Sequence, residues 1–441
     1  MTARLIRPLL QPVAAAALLA CAGNATATNG MNMEGYGPIS TGMGGASQAI
    51  DHGTAAMAQN PATLGLMGTD MRLDVAIGQL GPKVKSSAGP AVADSGGTSY
   101  VMPAVGFVRR DHKLTWGVGV FAQGGMGTEY TADSFMALNS GQPVRSELGV
   151  GRFIIPLAWQ ASNDLTIGAT LDYVWATLDL RLAATGAQLG GMVTGASGNL
   201  GAALPALGGA PWARVDFSDN SDFSGSAKGN GWAGKLGFVW KATPDFTLGA
   251  SYQAKTSLSD MKTSSTSASL TAAGGFADSG KLTVEDFQWP AMTAIGAAWQ
   301  VAPGVLLAAD VKHIGWADVM QSFKMRYDSA GMGGSVSFKM PQNWKDQTVT
   351  NLGVAWSANS QLTVRVGANL SDNPIPQAFV NPLFPATVKS HYTMGLGYAI
   401  SPQHDVNFSY TMAPEVSVTN ADSVVVSHKQ SNLQLMYTAR F

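Results

Sequence analysis

Apolar and polar residues alternate strictly along several segments of about nine residues in this sequence. The segments 165–172, 246–253, 362–370 and 392–400 all show the pattern. In 362–370 the even positions hold Leu, Val, Val, Ala and Leu, and the odd positions hold Thr, Arg, Gly and Asn. A period of two predicts β-strands whose two faces meet different surroundings. The length is the one that a tilted strand needs to cross a bilayer.

The composition narrows the kinds of protein that such strands can build. Charged residues make up 12% of the chain, against about 25% in ordinary soluble domains. Beyond the N-terminal leader, no stretch approaches the roughly 18 consecutive apolar residues of a spanning helix. In lipid every backbone polar group must be paired within the protein, so strands can span a membrane only as a closed barrel. The sequence therefore predicts an all-β, transmembrane antiparallel β-barrel.

The connections between the predicted strands fall into two classes. About fourteen strands are expected, and short and long connections alternate between them, as short periplasmic turns and long extracellular loops do in outer-membrane barrels. The short connections, rich in turn residues, are 110–112, 162–164, 243–245, 302–304, 358–360 and 401–403. The long connections are 86–97, 124–146, 183–228, 261–280, 320–343, 373–388 and 413–430.

The N-terminus carries the features of a secretory signal peptide. Arg4 and Arg7 precede an apolar stretch, and Ala25-Thr26-Ala27 forms a small-residue cleavage site. We expect residues 1–27 to be removed. Cys21 also lies in a weak lipoprotein-like context, which leaves acylation at Cys21 as an alternative. In either case no disulfide is expected, because Cys21 is the only cysteine.

The C-terminal segment alternates up to the terminal aromatic Phe441. This pattern is similar to the closing-strand signal that the outer-membrane barrel assembly machinery reads, which makes that machinery an expected partner. Aromatic residues near the strand ends are expected to anchor the barrel at the membrane interfaces. These are Trp116, Trp159, Trp175, Trp240, Trp299 and Trp356.

Strand parity predicts which side chains face the lumen. Many are glycines, whose small size leaves volume for water, a plug or a ligand. Four cations are predicted to face the lumen; paired or solvated wall residues are the favoured interpretation, and one or two of them holding a ligand carboxylate is the alternative. They are Lys235, Lys255, Lys312 and Arg365.

Residues 28–68 precede the first predicted strand, and residues 69–441 form the predicted barrel. The segment 28–68 is small, apolar and glycine-rich, with too few charges for a solvated tail. It is expected to fold back into the lumen as a plug. Its methionines suit contact with variable apolar ligands, although packing within the plug is the favoured interpretation for any single one of them. They are Met31, Met33, Met43 and Met57.

Several motifs resemble the FadL family of long-chain fatty-acid and aromatic-hydrocarbon transporters. The most specific is Asn60-Pro61-Ala62-Thr63-Leu64, which follows Gly37-Pro38 and resembles that family's N-terminal hatch. The stretches 289–316 and 364–398 also look like the family, so the resemblance covers most of the mature chain. It implies a hatch-closed barrel of fourteen strands, with Asn60, Pro61 and Ala62 as the hatch motif.

The resemblance also implies how such a barrel works. Hydrophobic molecules enter from outside without coupled energy, meet an apolar groove and a pocket bordered by the hatch, and leave sideways at a kinked third strand. The matching candidates here are Gly124, Gly125 and Gly127, which follow the third predicted strand. The glycines alternatively just begin a loop. Segment 183–228 is expected to form short apolar helices or a flexible glycine-rich loop.

Three functional classes were compared. Hydrophobic-substrate uptake is favoured, with a general or weakly selective porin as the alternative. An enzyme is not expected, because none of the six histidines accompanies a serine in a nucleophile-elbow pattern. No cofactor, metal or nucleic-acid partner is expected. Outer-membrane lipids and detergent-like amphiphiles are expected partners, and the protein is expected to be a monomer. The sequence does not choose between fatty acids and neutral hydrocarbons.

Overall fold

The protein is described by a computed structural model that covers residues 29–221 and 224–441. The predicted signal peptide, residues 1–27, lies outside the described residues. Among the described residues, no helix has the length and apolar character needed to cross a membrane. The α-helices are Gly37–Thr41, Gly186–Met192 and Gly198–Leu207, and the 3-10 helices are Gly53–Ala58, Pro61–Leu66, Phe135–Ala137, Trp316–Asp318 and Gln377–Phe379.

Antiparallel strands dominate the chain. In chain order they are β1 (Met71–Ala88), β2 (Ala91–Asp94), β3 (Tyr100–Asp111), β4 (Leu114–Tyr130), β5 (Val144–Gln160), β6 (Leu165–Ala184), β7 (Val193–Ser197), β8 (Ala213–Phe217), β9 (Ala227–Thr243), β10 (Phe246–Gln253), β11 (Ser257–Leu258), β12 (Met261–Lys262), β13 (Ala268–Ala272), β14 (Phe276–Glu285), β15 (Met292–Ala302), β16 (Val305–Ile314), β17 (Ser322–Ser329), β18 (Ser335–Pro341), β19 (Gln347–Ser357), β20 (Leu362–Ser371), β21 (His391–Ala399), β22 (His404–Thr419) and β23 (Val425–Arg440).

The longest strands close into a ring. Pairing runs from β1 through β3, β4, β5, β6, β9, β10, β15, β16, β19, β20, β21 and β22 to β23. β23 then pairs with β1 along sixteen registered positions, Arg72↔Arg440 to Ser87↔Val425. A closed ring leaves no edge strand, so backbone groups can be paired without water. The prediction of a closed antiparallel barrel is confirmed.

Among the described residues the sheet contains 23 strands, more than the about fourteen predicted, and fourteen of these strands form the ring. The additional strands lie outside the ring, in connections that the sequence predicted as long loops. They are β2, β7, β8, β11, β12, β13, β14, β17 and β18. Most extend the sheet beyond one end of the barrel in the order β6–β8–β13–β14–β17–β18–β7. Eight of these nine strands are only two to eight residues long, which is shorter than a membrane-spanning strand, so the alternation expected of such strands does not mark them. Segment 183–228 also contains two short helices.

The two faces of the ring strands differ as the alternation predicts. On β5, Phe153, Ile155, Leu157 and Trp159 are exposed on the outer surface, whereas Arg152 is fully buried on the inner face. Five of the six predicted anchor tryptophans are also exposed, and each lies beside a short turn; they are Trp116, Trp159, Trp240, Trp299 and Trp356. Trp175 is different, because it is half-buried and lines a cavity.

Residues 29–70 lie inside the ring. Their helices contact strands on opposite sides of it: Gly37–Thr41 packs on β21, β22 and β23, and Pro61–Leu66 packs on β5, β6 and β9. Glycines on the inner wall allow this close approach. A Cβ at Gly249 would lie 1.7 Å from the Gln48 carbonyl oxygen, and one at Gly367 would lie 2.1 Å from the Gly44 nitrogen. The lumen glycines therefore make room for the N-terminal segment.

Candidate functional site

The predicted motif Asn60-Pro61-Ala62 fixes the N-terminal segment to the wall. The Asn60 side chain accepts a hydrogen bond from the Ala62 nitrogen, which caps the 3-10 helix Pro61–Leu66. Its amide nitrogen donates to the carbonyl of Gln48 at 2.8 Å and to that of Phe238 on β9 at 3.1 Å. A Cβ at Gly237 would lie 2.0 Å from the Asn60 Oδ1 atom. The motif thus joins two parts of the segment to one strand.

Buried charges hold the same segment at two further places. The Asp310 carboxylate on β16 accepts a hydrogen bond from the Ser47 nitrogen at 2.7 Å, and Lys312 Nζ donates to the Gly45 carbonyl at 3.1 Å. On β1, Asp74 accepts from the Thr54 nitrogen at 2.7 Å and from Arg72 Nε at 2.9 Å. Hydrogen bonds with charged groups are worth about 1.5–3 kcal/mol, so the middle of the segment, residues 44–62, is firmly held.

The start of the segment is attached to β4. A β-bridge joins Asn32 to Gly124, and the Gly125 nitrogen donates to the Met31 carbonyl at 3.2 Å. A Cβ at Gly124 would lie 2.1 Å from the Met31 carbonyl oxygen, so only glycine fits there. Gln123 Nε2 adds hydrogen bonds to Tyr36 and to Asn32.

β4 is irregular at the same place. Its pairing with β5 shifts register between Ala122 and Gly124, which makes Gln123 the extra residue of a β-bulge. Pairing with β3 ends at Ala104↔Phe121, although β3 begins at Tyr100 and β4 continues to Tyr130. Val101 to Pro103 therefore have no registered strand partner on β4, and the barrel wall has an unpaired stretch between the two strands.

A cavity of about 270 Å³ lies at this unpaired stretch. It is lined from β3 by Tyr100 to Pro103, from β4 by the Gly124–Gly127 segment, and from the N-terminal segment by Gly30. Trp175 and His428 complete other parts of its wall. The three glycines predicted for a lateral opening, Gly124, Gly125 and Gly127, thus lie within β4 and border the cavity.

A second, nearly filled pocket lies beside Met31. Its volume is only about 10 Å³, and its walls are methionines and aromatic rings together with one polar side chain, Gln342. Phe287 and Phe323 meet edge-to-face at 6.5 Å, and Phe384 lies 6.0 Å from Phe323. Flexible methionines and aromatic rings can repack around a ligand. We call this pocket the aromatic pocket.

The four methionines of the segment have different surroundings. Met31 lines the aromatic pocket. Met43 is buried against the wall at Gly353, and Met57 is buried against Gly119. Met33 is half-buried and packs on the cluster that contains Met57. Among these four, Met31 is the one that touches an apolar pocket.

The four predicted lumen cations do not form one site. Lys235 is buried and contacts Asp172 at 2.5 Å, where Arg152 also donates to the same carboxylate at 2.8 Å. Lys312 holds the N-terminal segment, as described above. Arg365 donates to Asn407 Oδ1 at 3.0 Å. The candidates are therefore separated, and each of these three is already occupied by a protein group.

The fourth candidate, Lys255, is exposed and not buried in the wall. Its side chain is 46% exposed and pairs with Asp318 at 2.7 Å. β10 ends at Gln253, so the alternation no longer determines where residue 255 points.

Sequence reasoning missed several important groups. Arg152 is one, although the exposed Phe153 and Ile155 beside it show that strand parity would have found it. The buried tryptophans Trp289, Trp316 and Trp344 are others; they come from separate connections, and no local pattern brings them together. No group of three or more His, Cys, Asp or Glu side chains within residues 29–221 and 224–441 could hold a metal ion.

Known outer-membrane transport proteins resemble this chain in sequence and in fold. The sequence model described as "Outer membrane protein transport protein (OMPP1/FadL/TodX)" matches residues 13–440. The crystal structure of the Pseudomonas putida toluene transporter TodX superimposes with a TM-score of 0.84 at 30% identity, covering 93% of this chain and 99% of that chain. The Ralstonia pickettii toluene transporter TbuX gives a TM-score of 0.78 at 30% identity, with 93% and 99% covered.

A curated relative matches over a shorter region. An uncharacterized protein from Chlorobium limicola, encoded in the 5′ region of a phosphoenolpyruvate carboxykinase gene, is 60% identical over 43 residues, which cover 10% of this chain and 21% of that protein. The match thus spans about a fifth of that relative's length. Because the family match covers almost the whole sequence, this chain belongs to the OMPP1/FadL/TodX family of outer-membrane transport proteins.

Proposed function

We propose that this protein is a passive channel that takes hydrophobic small molecules across the outer membrane and releases them sideways into the bilayer between β3 and β4. The observation that carries the proposal is the cavity of about 270 Å³ at the unpaired stretch of these two strands. A cavity that ends at a wall without interstrand hydrogen bonds offers a route from the lumen to lipid.

The free-energy cost of exposing a hydrophobic substrate to water favours that route. Leaving through the short-turn end would expose the cargo to water at about 0.8 kcal/mol per methylene. It would also require the charged attachments around Asp310 and Asp74 to break. A sideways exit avoids both costs, because Val101 and Val120 already present apolar surface on the outer face of β3 and β4.

The N-terminal segment serves as the hatch in this proposal. Residues 44–62 stay fixed to the wall, whereas Met31 lines the aromatic pocket and its carbonyl accepts a hydrogen bond from Gly125, beside the bulge of β4. A ligand that enters the aromatic pocket displaces Met31, and the same displacement removes the Met31 carbonyl from Gly124 and Gly125. Pocket occupancy is thereby coupled to the cavity at the wall.

The substrate class follows from the pocket and from the relatives. TodX and TbuX are toluene transporters, and aromatic hydrocarbons match the ring-lined pocket here. Long-chain fatty acids are the second candidate in this class. A general porin is the alternative function, and the N-terminal segment that fills the lumen argues against it.

Uptake assays test the proposal. A strain that lacks its own transporters is given this protein, and uptake of toluene, a long-chain fatty acid and a small sugar is compared with a vector control. The proposal predicts faster uptake of a hydrophobic compound without faster uptake of the sugar. Sugar passage at porin rates, without dependence of any hydrophobic compound on the protein, would contradict it.

A further inference from the structure

Part of the connection between β20 and β21 crosses the lumen at the end of the barrel that carries the long connections. This part is residues 381–388, which we call the crossing segment, and it lies outside the named helices and strands. It hydrogen-bonds to β4 and β5, although β22, β23, β1 and β3 lie between these strands and β21 in the ring. Leu383 and Val388 are buried, so the segment is packed inside the protein.

Hydrogen bonds from wall side chains to backbone carbonyls hold the crossing segment on the far side of the lumen. The Tyr130 hydroxyl on β4 donates to the Pro382 carbonyl at 3.1 Å, and the Thr128 hydroxyl donates to the Leu383 carbonyl at 3.2 Å. The Ser146 hydroxyl on β5 donates to the same Leu383 carbonyl. These bonds depend on wall side chains and not on the side chains of the segment.

The middle of the crossing segment borders two cavities. Phe384 lines the aromatic pocket, whereas the next two residues, Pro385 and Ala386, line the cavity of about 270 Å³ beside β3 and β4. Met126 on β4 and Leu148 on β5 line both spaces. These five residues therefore form a partition between the aromatic pocket and the cavity.

Only some parts of this partition belong to the paired wall. Met126 and Leu148 are direct partners in the pairing of β4 with β5, which fixes them in the barrel. The start of the N-terminal segment also borders both spaces, with Met31 at the aromatic pocket and Gly30 at the cavity. A substrate that passes from the pocket to the cavity must therefore move between the N-terminal segment and the crossing segment.

The crossing segment is the stiffer of these two boundaries. Pro382 and Pro385 lie on either side of Phe384, and each proline ring restricts the backbone φ angle to about −65°. His428 Nδ1 on β23 also donates to the Pro385 carbonyl at 2.8 Å. Displacement of Met31 opens one side of the passage, while the other side keeps its place. A passage with one fixed boundary has a limited width.

We propose that the crossing segment is a size filter between the aromatic pocket and the cavity, and that Tyr130 and Ser146 are positioning residues that hold it in place. The filter passes narrow hydrophobic molecules and retains wider ones of the same chemistry. This inference rests on the proposed uptake function and adds to it the element that determines the width of the substrate.

Toluene and 1-methylnaphthalene test the inference, because both are neutral methylarenes and the second is wider by one fused ring. Their uptake rates are measured in cells that carry the full protein or a variant in the outer membrane. Tyr130→Phe combined with Ser146→Ala removes two hydroxyl donors from the crossing segment. We expect the rate ratio of 1-methylnaphthalene to toluene to rise at least about threefold, the effect of weakening one or two hydrogen bonds.

The matched control is Tyr410→Phe combined with Ser431→Ala. It removes the same two kinds of hydroxyl from a pair that is 3.4 Å apart on β22 and β23, away from the crossing segment. The rate ratio should stay at the value of the unmodified protein. The ratio is informative because general destabilisation or a lower amount of protein changes both rates by the same factor.

Phe384→Ala keeps the test decisive if the first variant does not reach the outer membrane. It removes a ring from the partition and leaves the carbonyl acceptors of the segment in place, so it should also raise the ratio. A ratio that neither variant raises overturns the size filter while the uptake function stands. If the unmodified protein takes up neither compound faster than a vector control, both the filter and the uptake of aromatic hydrocarbons are contradicted.

Discussion

Asn32 accepts a hydrogen bond from the Trp289 indole at 2.7 Å and a second one from Gln123 Nε2 at 3.1 Å. One side-chain oxygen joins the start of the N-terminal segment to Trp289 and to the bulged residue of β4. This oxygen therefore helps to hold the start of the N-terminal segment beside the bulge.

Replacing Asn32 with alanine should loosen the start of the segment. The change removes the acceptor from two buried donors, which costs about 1–3 kcal/mol for a group left unsatisfied. Hydrogen exchange of residues 29–36 should become faster, while residues 44–62 keep their protection. Equal protection of residues 29–36 in both proteins would show that Asn32 does not hold the segment.

Gly237→Ala should displace the N-terminal segment without unfolding the barrel. The added Cβ would lie 2.0 Å from the Asn60 Oδ1 atom, so the motif cannot keep its place on β9. Ion conductance in planar bilayers should rise. Gly191→Ala is the matched control, because nothing lies within 4 Å of a Cβ there. Closed channels in both variants would contradict the close packing described here.

The attachment of the N-terminal segment to the inner wall of the barrel should weaken as the pH falls. Burial lowers the pKa of His52 from 6.5 to about 4, although the Ile50 carbonyl and Asp51 act in the opposite direction. Because the pKa of His52 is lower in the folded protein, the unfolded form binds more protons between pH 4 and pH 6.5. The stability that neutral His52 contributes is therefore complete above pH 6.5 and is lost as the pH falls towards 4.

Thiol labelling measures this effect. Ala56→Cys reports opening of the segment, with Ser162→Cys in an exposed turn correcting for the chemistry of the reagent. The corrected labelling rate at Ala56→Cys should rise between pH 7 and pH 5, and an added His52→Gln change should remove the rise. A corrected rate that does not depend on pH would exclude His52 as the cause.

Asp172→Asn should strongly destabilise the barrel. It leaves the buried cations Arg152 and Lys235 without their shared carboxylate, and loss of one partner from a buried ion pair costs about 3–5 kcal/mol. Urea unfolding in lipid vesicles measures the change. Asp164→Asn, in an exposed turn, should have little effect. A similar midpoint for both variants would mean that the charge cluster is hydrated.

Local patterns explain what the sequence could and could not predict. Alternation identified the ring strands because the period of two persists wherever one face meets lipid. It carries no information on the direction of Lys255, because β10 stops at Gln253 and the period ends with it. The bulge at Gln123 shifts the period by one residue, and glycine content was the only local sign of it. The tryptophan cluster joins residues 289, 316 and 344, whose proximity depends on the whole ring.

Deletion of Gln123 tests the central claim most directly. Removing this single extra residue restores a continuous register between β4 and β5 and so straightens the strand at the unpaired stretch. Gln123→Ala is the matched control, because it keeps the bulge and removes only the side chain. With both variants folded in the outer membrane, the account predicts that the deletion abolishes toluene uptake and that Gln123→Ala retains it. Undiminished uptake by the deletion variant would contradict lateral release between β3 and β4.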